Sequence, residues 1–132
     1  MNLIDGIGGV FLFSSNPQRL AEWYRENLGI SSTESPDCSS IYKSFEYRDL
    51  TDASVKRTTT WAILRADHDL TGKPRTGQIN YRVKSMAETL SHLRSKGVAI
   101  DKTEDYEYGK FAWLMDPDGN KIELFEEPLE PV

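Results

Sequence analysis

One cysteine and two histidines are all the thiol and imidazole groups that this 132-residue chain offers. Cys38 has no second cysteine, which excludes an internal disulfide, and no histidine within a few residues, which excludes metal-site spacing. It reads as an inert loop or strand residue rather than a nucleophile. His68 and His92 each stand alone and read as solvated surface residues. Long apolar runs are missing too. The longest, about Ile7 to Phe13, falls far short of the ~20 residues that cross a bilayer, and no charged leader with a cleavage site precedes it. A cytoplasmic protein without a membrane partner is expected. Positive charge is short: 16 Lys and Arg against 21 Asp and Glu leave a net charge of -5, which argues against a nucleic-acid partner. No serine or threonine has a local histidine to activate it. Gly6-Ile7-Gly8-Gly9 precedes a strand rather than opening a helix, so it is not a dinucleotide fingerprint.

What is present is ordinary globular material, 38% hydrophobic and 28% charged, in a chain long enough to bury roughly two-thirds of its unfolded surface. Two segments carry a helical period. In the first, Asn16 caps, Pro17 takes the first helical position, and Leu20, Trp23, Tyr24 and Leu28 recur at three- and four-residue steps before Gly29 ends the run. In the second, Ser85 caps, Glu88 completes a capping box, Met86, Leu90 and Leu93 line one face, and Gly97 supplies the stop.

Each helix follows a short apolar strand, Gly8 to Phe13 and Gln78 to Val83. A spacing of 69 residues separates Asn16 from Ser85 and also Gly9 from Gln78, which marks a duplicated unit. Further strands are expected at Ile41 to Tyr47 and Thr58 to Arg65, then at Ile100 to Tyr106, Lys110 to Met115 and Lys121 to Phe125. Asp116-Pro117-Asp118-Gly119-Asn120 makes a tight turn between the last two. The expected organisation is a single α+β domain with module one at about 5–67, a Gly- and Pro-containing linker at about 68–77 and module two at about 78–127. The acidic tail from Glu126 reads as a solvated terminus.

The repeated strand-helix-three-strand unit, together with Phe111-Ala112-Trp113-Leu114-Met115-Asp116-Pro117-Asp118-Gly119-Asn120-Lys121-Ile122-Glu123-Leu124, resembles the glyoxalase, bleomycin-resistance and dioxygenase (vicinal-oxygen-chelate) superfamily. The stretch Val10 through Gly29 resembles that family's opening segment, so the likeness spans nearly the whole chain. It implies two βαβββ modules whose mixed sheet curves around a cup, with helices on the outer face. It also implies a divalent metal held by His, Glu or Gln at the start of each module's first strand and in its last strand. Residue by residue, those positions fall at Gly9, Gln78, Glu123 and, in module one's last strand, near Trp61 or Ala62. One carboxylate and one amide do not make the family's metal face. No metal or other cofactor is therefore expected, with a divalent metal on Glu123 and Gln78 as the alternative.

Strand alternation puts Gly9, Phe11 and Phe13, then Gln78, Asn80 and Arg82, then Glu123 and Phe125 on the cup side. Trp61, Tyr106, Tyr108 and Trp113 either stack on a planar ligand or serve as plain core. Asn80 and Arg82 either orient a polar or anionic group or simply face water, and a further reading pairs Arg82 with Glu123. The leading expectation is a protein that binds a small, partly aromatic or anionic organic molecule through Phe11, Phe13, Trp61, Gln78, Asn80, Arg82, Trp113 and Phe125. The alternative is a metal-dependent lyase, isomerase or dioxygenase with Glu123 as the catalytic residue, and a third reading is an interaction module. A homodimer is expected on general symmetry grounds and from the family likeness.

Overall fold

Asn16 and Ser85 begin the two helices as the sequence anticipates. The computed structural model describes residues 6–70, 72, 73 and 77–128, so parts of the expected linker and tail lie outside the described residues. Strand β1 (Gly9–Ser14) leads into α1 (Pro17–Leu28), where Asn16 Oδ1 accepts from the Arg19 amide at 3.2 Å. Gly29 adopts φ +70° just past the last turn, a left-handed conformation that costs glycine little. The module continues through β2 (Thr33–Glu34), β3 (Ser40–Arg48) and β4 (Lys56–Arg65). These strands form a four-stranded mixed sheet in the order β1-β4-β3-β2, with β1 parallel to β4.

The second module repeats the plan with β5 (Gln78–Arg82), α2 (Met86–Ser95), β6 (Lys102–Tyr106), β7 (Gly109–Met115) and β8 (Lys121–Glu126), ordered β5-β8-β7-β6 with β5 parallel to β8. Ser85 Oγ accepts from the Glu88 amide at 3.2 Å. At the other end, Val98 N–H reaches the Leu93 carbonyl and Gly97 N–H reaches that of Arg94, which closes a Schellman cap. Glu126 departs from the expected solvated tail. It ends β8, and its Oε1 accepts from the Met86 amide at 2.6 Å, placing negative charge at the positive end of α2. The Asp116 turn forms as expected: Asp116 is buried, and its Oδ1 accepts from the amides of Asp118 and Asn120.

The result is an α+β chain of two βαβββ modules. The described residues group into two compact units, one holding β1 to β4 with the body of α1, the other holding β5 to β8, α2 and Glu26–Gly29. In the first unit Leu12, Leu20, Tyr24, Ile41, Trp61 and Ile63 are buried between helix and sheet. In the second, Met86, Leu93, Ala112, Leu114, Ile122 and Leu124 are buried in the same way. Each sheet therefore spends one face on its helix and keeps the other open, as alternation requires. Among the described residues no helix is long and apolar enough to cross a membrane.

Candidate functional site

The open face of the second sheet is assembled by register. Asn80 in β5 lies opposite Glu123 in β8, and Glu123 lies opposite Trp113 in β7, which in turn lies opposite Lys102 in β6. This row of four places Glu123 between two N–H donors. Asn80 Nδ2 donates to Glu123 Oε2 at 2.8 Å, and Trp113 Nε1 donates to Oε1 at 3.0 Å. Glu123 is half-buried while Ile122 and Leu124 beside it are buried under α2, so the carboxylate is held on the open side by core residues flanking it. Arg82, the partner expected for Glu123 under one alternative, sits opposite Phe125 and makes no ion pair among the described residues. Glu123 is thus satisfied by neutral donors and not by Arg82.

The next row is aromatic. Arg82, Phe125, Phe111 and Glu104 follow one another across the four strands. Phe111 stacks on Phe125 with centroids 5.1 Å apart, and on Trp113 at 5.9 Å with planes 11° apart. Beyond it the rings of Tyr106 and Tyr108 stack at 5.0 Å, and both meet Phe111 edge-on. Gly109 makes this row possible: a Cβ there would lie 2.4 Å from Phe125 Cε1, so the missing side chain is the space the ring occupies. Lys102 Nζ stands 5.6 Å from the Trp113 ring centroid and pairs with Glu104 at 2.6 Å. Glu104 also accepts from the Tyr106 hydroxyl, which pushes that phenol up to about 12. Phe111, Lys102 and Glu104 were not singled out in the sequence, although counting by twos from Trp113 reaches Phe111 directly.

On the first sheet, Phe11 and Phe13 project from the open face with 56% and 52% of their surface exposed, while Leu12 between them is buried. The expected face assignment of β1 is the observed one. Trp61 is placed otherwise. It is 1% exposed and meets the Tyr24 ring of α1 at 5.0 Å, so it belongs to the helix-facing core and not to a ligand face. The reason lies in register: Trp61 pairs with Val10, a helix-facing position, whereas Ala62 pairs with Phe11. Since Glu123 pairs with Asn80, which matches Phe11 in the repeat, Ala62 is the counterpart of Glu123.

The divalent metal implied by the family likeness can be tested against these residues. Ala62 has no donor atom. A Cβ added at Gly9 would lie 2.9 Å from the Thr60 carbonyl oxygen and 3.0 Å from Phe11 Cζ, so the first-strand position of module one has no room for a ligating side chain. Glu123 is the one carboxylate at these positions, and the indole N–H of its neighbour Trp113 is a donor only and cannot join it as a ligand. Gln78 lies opposite Lys121, two residues before Asn80 in β5 and so one row away from Glu123. Among the described residues no group of three or more His, Cys, Asp or Glu side chains converges. These residues do not fit the metal.

The remaining candidates stay apart from this face. Cys38 is exposed with φ 59°, and the Glu34 carboxylate, through a hydrogen bond and its charge, pushes its thiol up, away from the thiolate form. His68 is exposed, with Nδ1 2.5 Å from Asp67 Oδ1. His92 is exposed as expected but not idle: its Nε2 donates to the Glu26 carbonyl at 2.9 Å.

The sequence model of the Glyoxalase/Bleomycin resistance protein/Dioxygenase superfamily matches residues 6–124. No curated protein matches the sequence. Among solved structures, TnmS3, an antibiotic binding protein from Streptomyces sp. CB03234, is 18% identical with a TM-score of 0.65, covering 97% of this chain and 100% of its own. A superfamily member from Sphaerobacter thermophilus DSM 20745 is 20% identical with a TM-score of 0.66, covering 96% and 100%. Lactoylglutathione lyase from Agrobacterium tumefaciens is 12% identical with a TM-score of 0.63, covering 95% and 96%. At these identities the likeness concerns the fold.

Proposed function

Because the chain belongs to the Glyoxalase/Bleomycin resistance protein/Dioxygenase superfamily, whose fold hosts unrelated chemistries, we propose from its side chains that it binds a small, partly aromatic or anionic organic molecule without the family's metal triad. The observation that carries this reading is the pairing of Glu123 with Asn80 and Trp113 beside the ring row of Phe111, Trp113 and Phe125. Open aromatic surface with a few fixed polar groups suits an organic ligand. Arg82, facing the same side as Phe125 with no ion pair among the described residues, offers a fork to a carboxylate or phosphonate. One structural relative is an antibiotic binding protein, which gives the reading a precedent on this fold.

A thermal-shift screen of planar aromatic acids in the presence of a chelator tests it. Compounds that raise the melting temperature are expected, with affinity falling about tenfold or more in Arg82→Ala for anionic members, the scale of a lost charge-assisted hydrogen bond. Unchanged affinity in both Arg82→Ala and Phe125→Ala would remove this face as the site. The second reading is an enzyme of the lyase, isomerase or dioxygenase type with Glu123 as its acid-base group, and the half-buried carboxylate at that position favours it. Stoichiometric nickel, zinc, iron or manganese in protein purified without chelators would bring that reading forward. The proposed assembly is a symmetric homodimer, and sedimentation as a monomer at micromolar concentration would dismiss it.

A further inference from the structure

Glu123 holds its two hydrogen bonds without a cationic partner among the described residues. Its two oxygens accept from Asn80 and Trp113, both neutral. No lysine, arginine or histidine among the described residues forms an ion pair with it. Of the cations on the same face, Lys102 pairs with Glu104, while Lys121, two residues before Glu123 in β8, and Arg82, in the next row, form no ion pair among the described residues. A carboxylate has about four lone-pair sites, and the two donors use two of them. A cationic group of a ligand would add a charge-assisted bond to the two neutral ones already made.

The surroundings favour an organic cation over a hydrated one. Phe111, Trp113 and Phe125 stack on one another beside the carboxylate, and aromatic rings attract cations through their quadrupoles. Trp113 already shows this preference toward Lys102 Nζ, 5.6 Å from its centroid. Asn80 and Trp113 also fix the carboxylate in place, so little ordering remains to be done on binding.

We propose that the ligand carries a protonated amine or quaternary ammonium on a flat apolar body, with the cationic group against Glu123 and the body on the Phe111–Trp113–Phe125 row. An organic cation then stands where the family's fold elsewhere invites a metal. This inference rests on the ligand-binding reading above and assigns a cationic group to the Glu123 position, apart from the anionic group which that reading gives to Arg82.

Three probes of one shape separate the two claims: naphthylmethylammonium, the neutral naphthylmethanol and the anionic naphthoate, titrated by calorimetry against wild type and Glu123→Gln. In wild type the ammonium is expected to bind at least about tenfold tighter than the alcohol, equivalent to about 1.4 kcal/mol. That ratio is expected to collapse toward one in Glu123→Gln and to shrink when salt is raised from about 0.05 to about 0.5 M. A ratio of one in wild type, or a ratio that survives in Glu123→Gln, overturns the cation assignment while binding of the alcohol or naphthoate leaves the ligand-binding reading standing. Absence of binding by all three overturns both. If Glu123→Gln does not fold, the wild-type salt series decides alone, and a ratio indifferent to salt counts against the proposal.

Discussion

Trp113 donates its indole N–H to Glu123 Oε1 at 3.0 Å across the β7–β8 register, so an aromatic ring and a carboxylate share one polar bond on an otherwise ring-lined face. Replacing Trp113 with Phe keeps the ring row and removes the donor. A hydrogen bond to a charged group contributes about 1.5–3 kcal/mol, and the exposure of this one places it at the lower end. Trp113→Phe is therefore expected to lower the unfolding free energy by about 1–2 kcal/mol in urea titration. A loss under about 0.5 kcal/mol would show that water substitutes for the indole.

Gly9 is fixed by its neighbours rather than by its backbone angles. Gly→Ala in a strand ordinarily stabilises by about 0.4–1 kcal/mol through the unfolded chain. Here the new Cβ meets the Thr60 carbonyl at 2.9 Å, and Thr60 N–H is itself bonded to the Gly8 carbonyl at 2.9 Å, so that backbone yields little. The clash, worth about 1–3 kcal/mol by analogy with overpacking, outweighs the entropy gain. Gly9→Ala is expected to destabilise, and adding Phe11→Ala recovers only the share owed to the ring contact at 3.0 Å. Gly9→His, by the same argument, acquires no nickel or zinc affinity in a calorimetric titration. A Gly9→Ala variant as stable as wild type would mean that β1 shifts to admit the methyl group.

The helices were legible in the sequence because their signals are local: Asn16 with Pro17, Ser85, Gly29 and Gly97 all act within one turn of the residue they punctuate. The face of β1 was legible for the same reason, since Phe11 and Phe13 alternate with Leu12. Trp61 was not, because Trp61, Ala62 and Ile63 are buried in succession and carry no phase of their own. The parallel pairing with Val10 sets that phase, and pairing is a long-range property. Strand β2 escaped notice because two exposed polar residues, Thr33 and Glu34, carry no pattern. The Glu123 partnership likewise depends on register between strands 43 residues apart, so Glu123 was identifiable while Asn80 as its donor was not.

Helix α2 is begun by two side chains of different origin, the local Ser85 and the distant Glu126. Ser85→Ala is expected to cost about 1 kcal/mol, the ordinary worth of an N-cap. Glu126→Gln keeps an acceptor for the Met86 amide and removes only the charge, so about 0.3–1 kcal/mol is expected, decreasing in high salt. If Glu126→Gln is the more damaging of the two, the carboxylate holds more than the helix end.

The acid limb of stability has an identifiable contributor in the β2–β3 loop. Asp37 is held down to about 2 from an ordinary 3.8, first by the Ser39 hydroxyl and then by that of Ser35. Those donors stand 2.7 and 2.8 Å from Asp37 Oδ1. A carboxyl whose folded pKa is depressed binds fewer protons folded than unfolded, so its contribution is complete above the unfolded value of 3.8 and disappears as pH falls toward about 2. Asp49, held low by Thr51 and Arg57, acts in the same direction, so the wild-type slope in this window is shared. Asp37→Asn removes one share. The difference between the urea midpoints of wild type and Asp37→Asn is expected to be constant from pH 7 to about 4 and to narrow as the pH falls further. A difference that stays constant down to about pH 2 would mean that the loop's hydrogen bonds favour neither protonation state of Asp37.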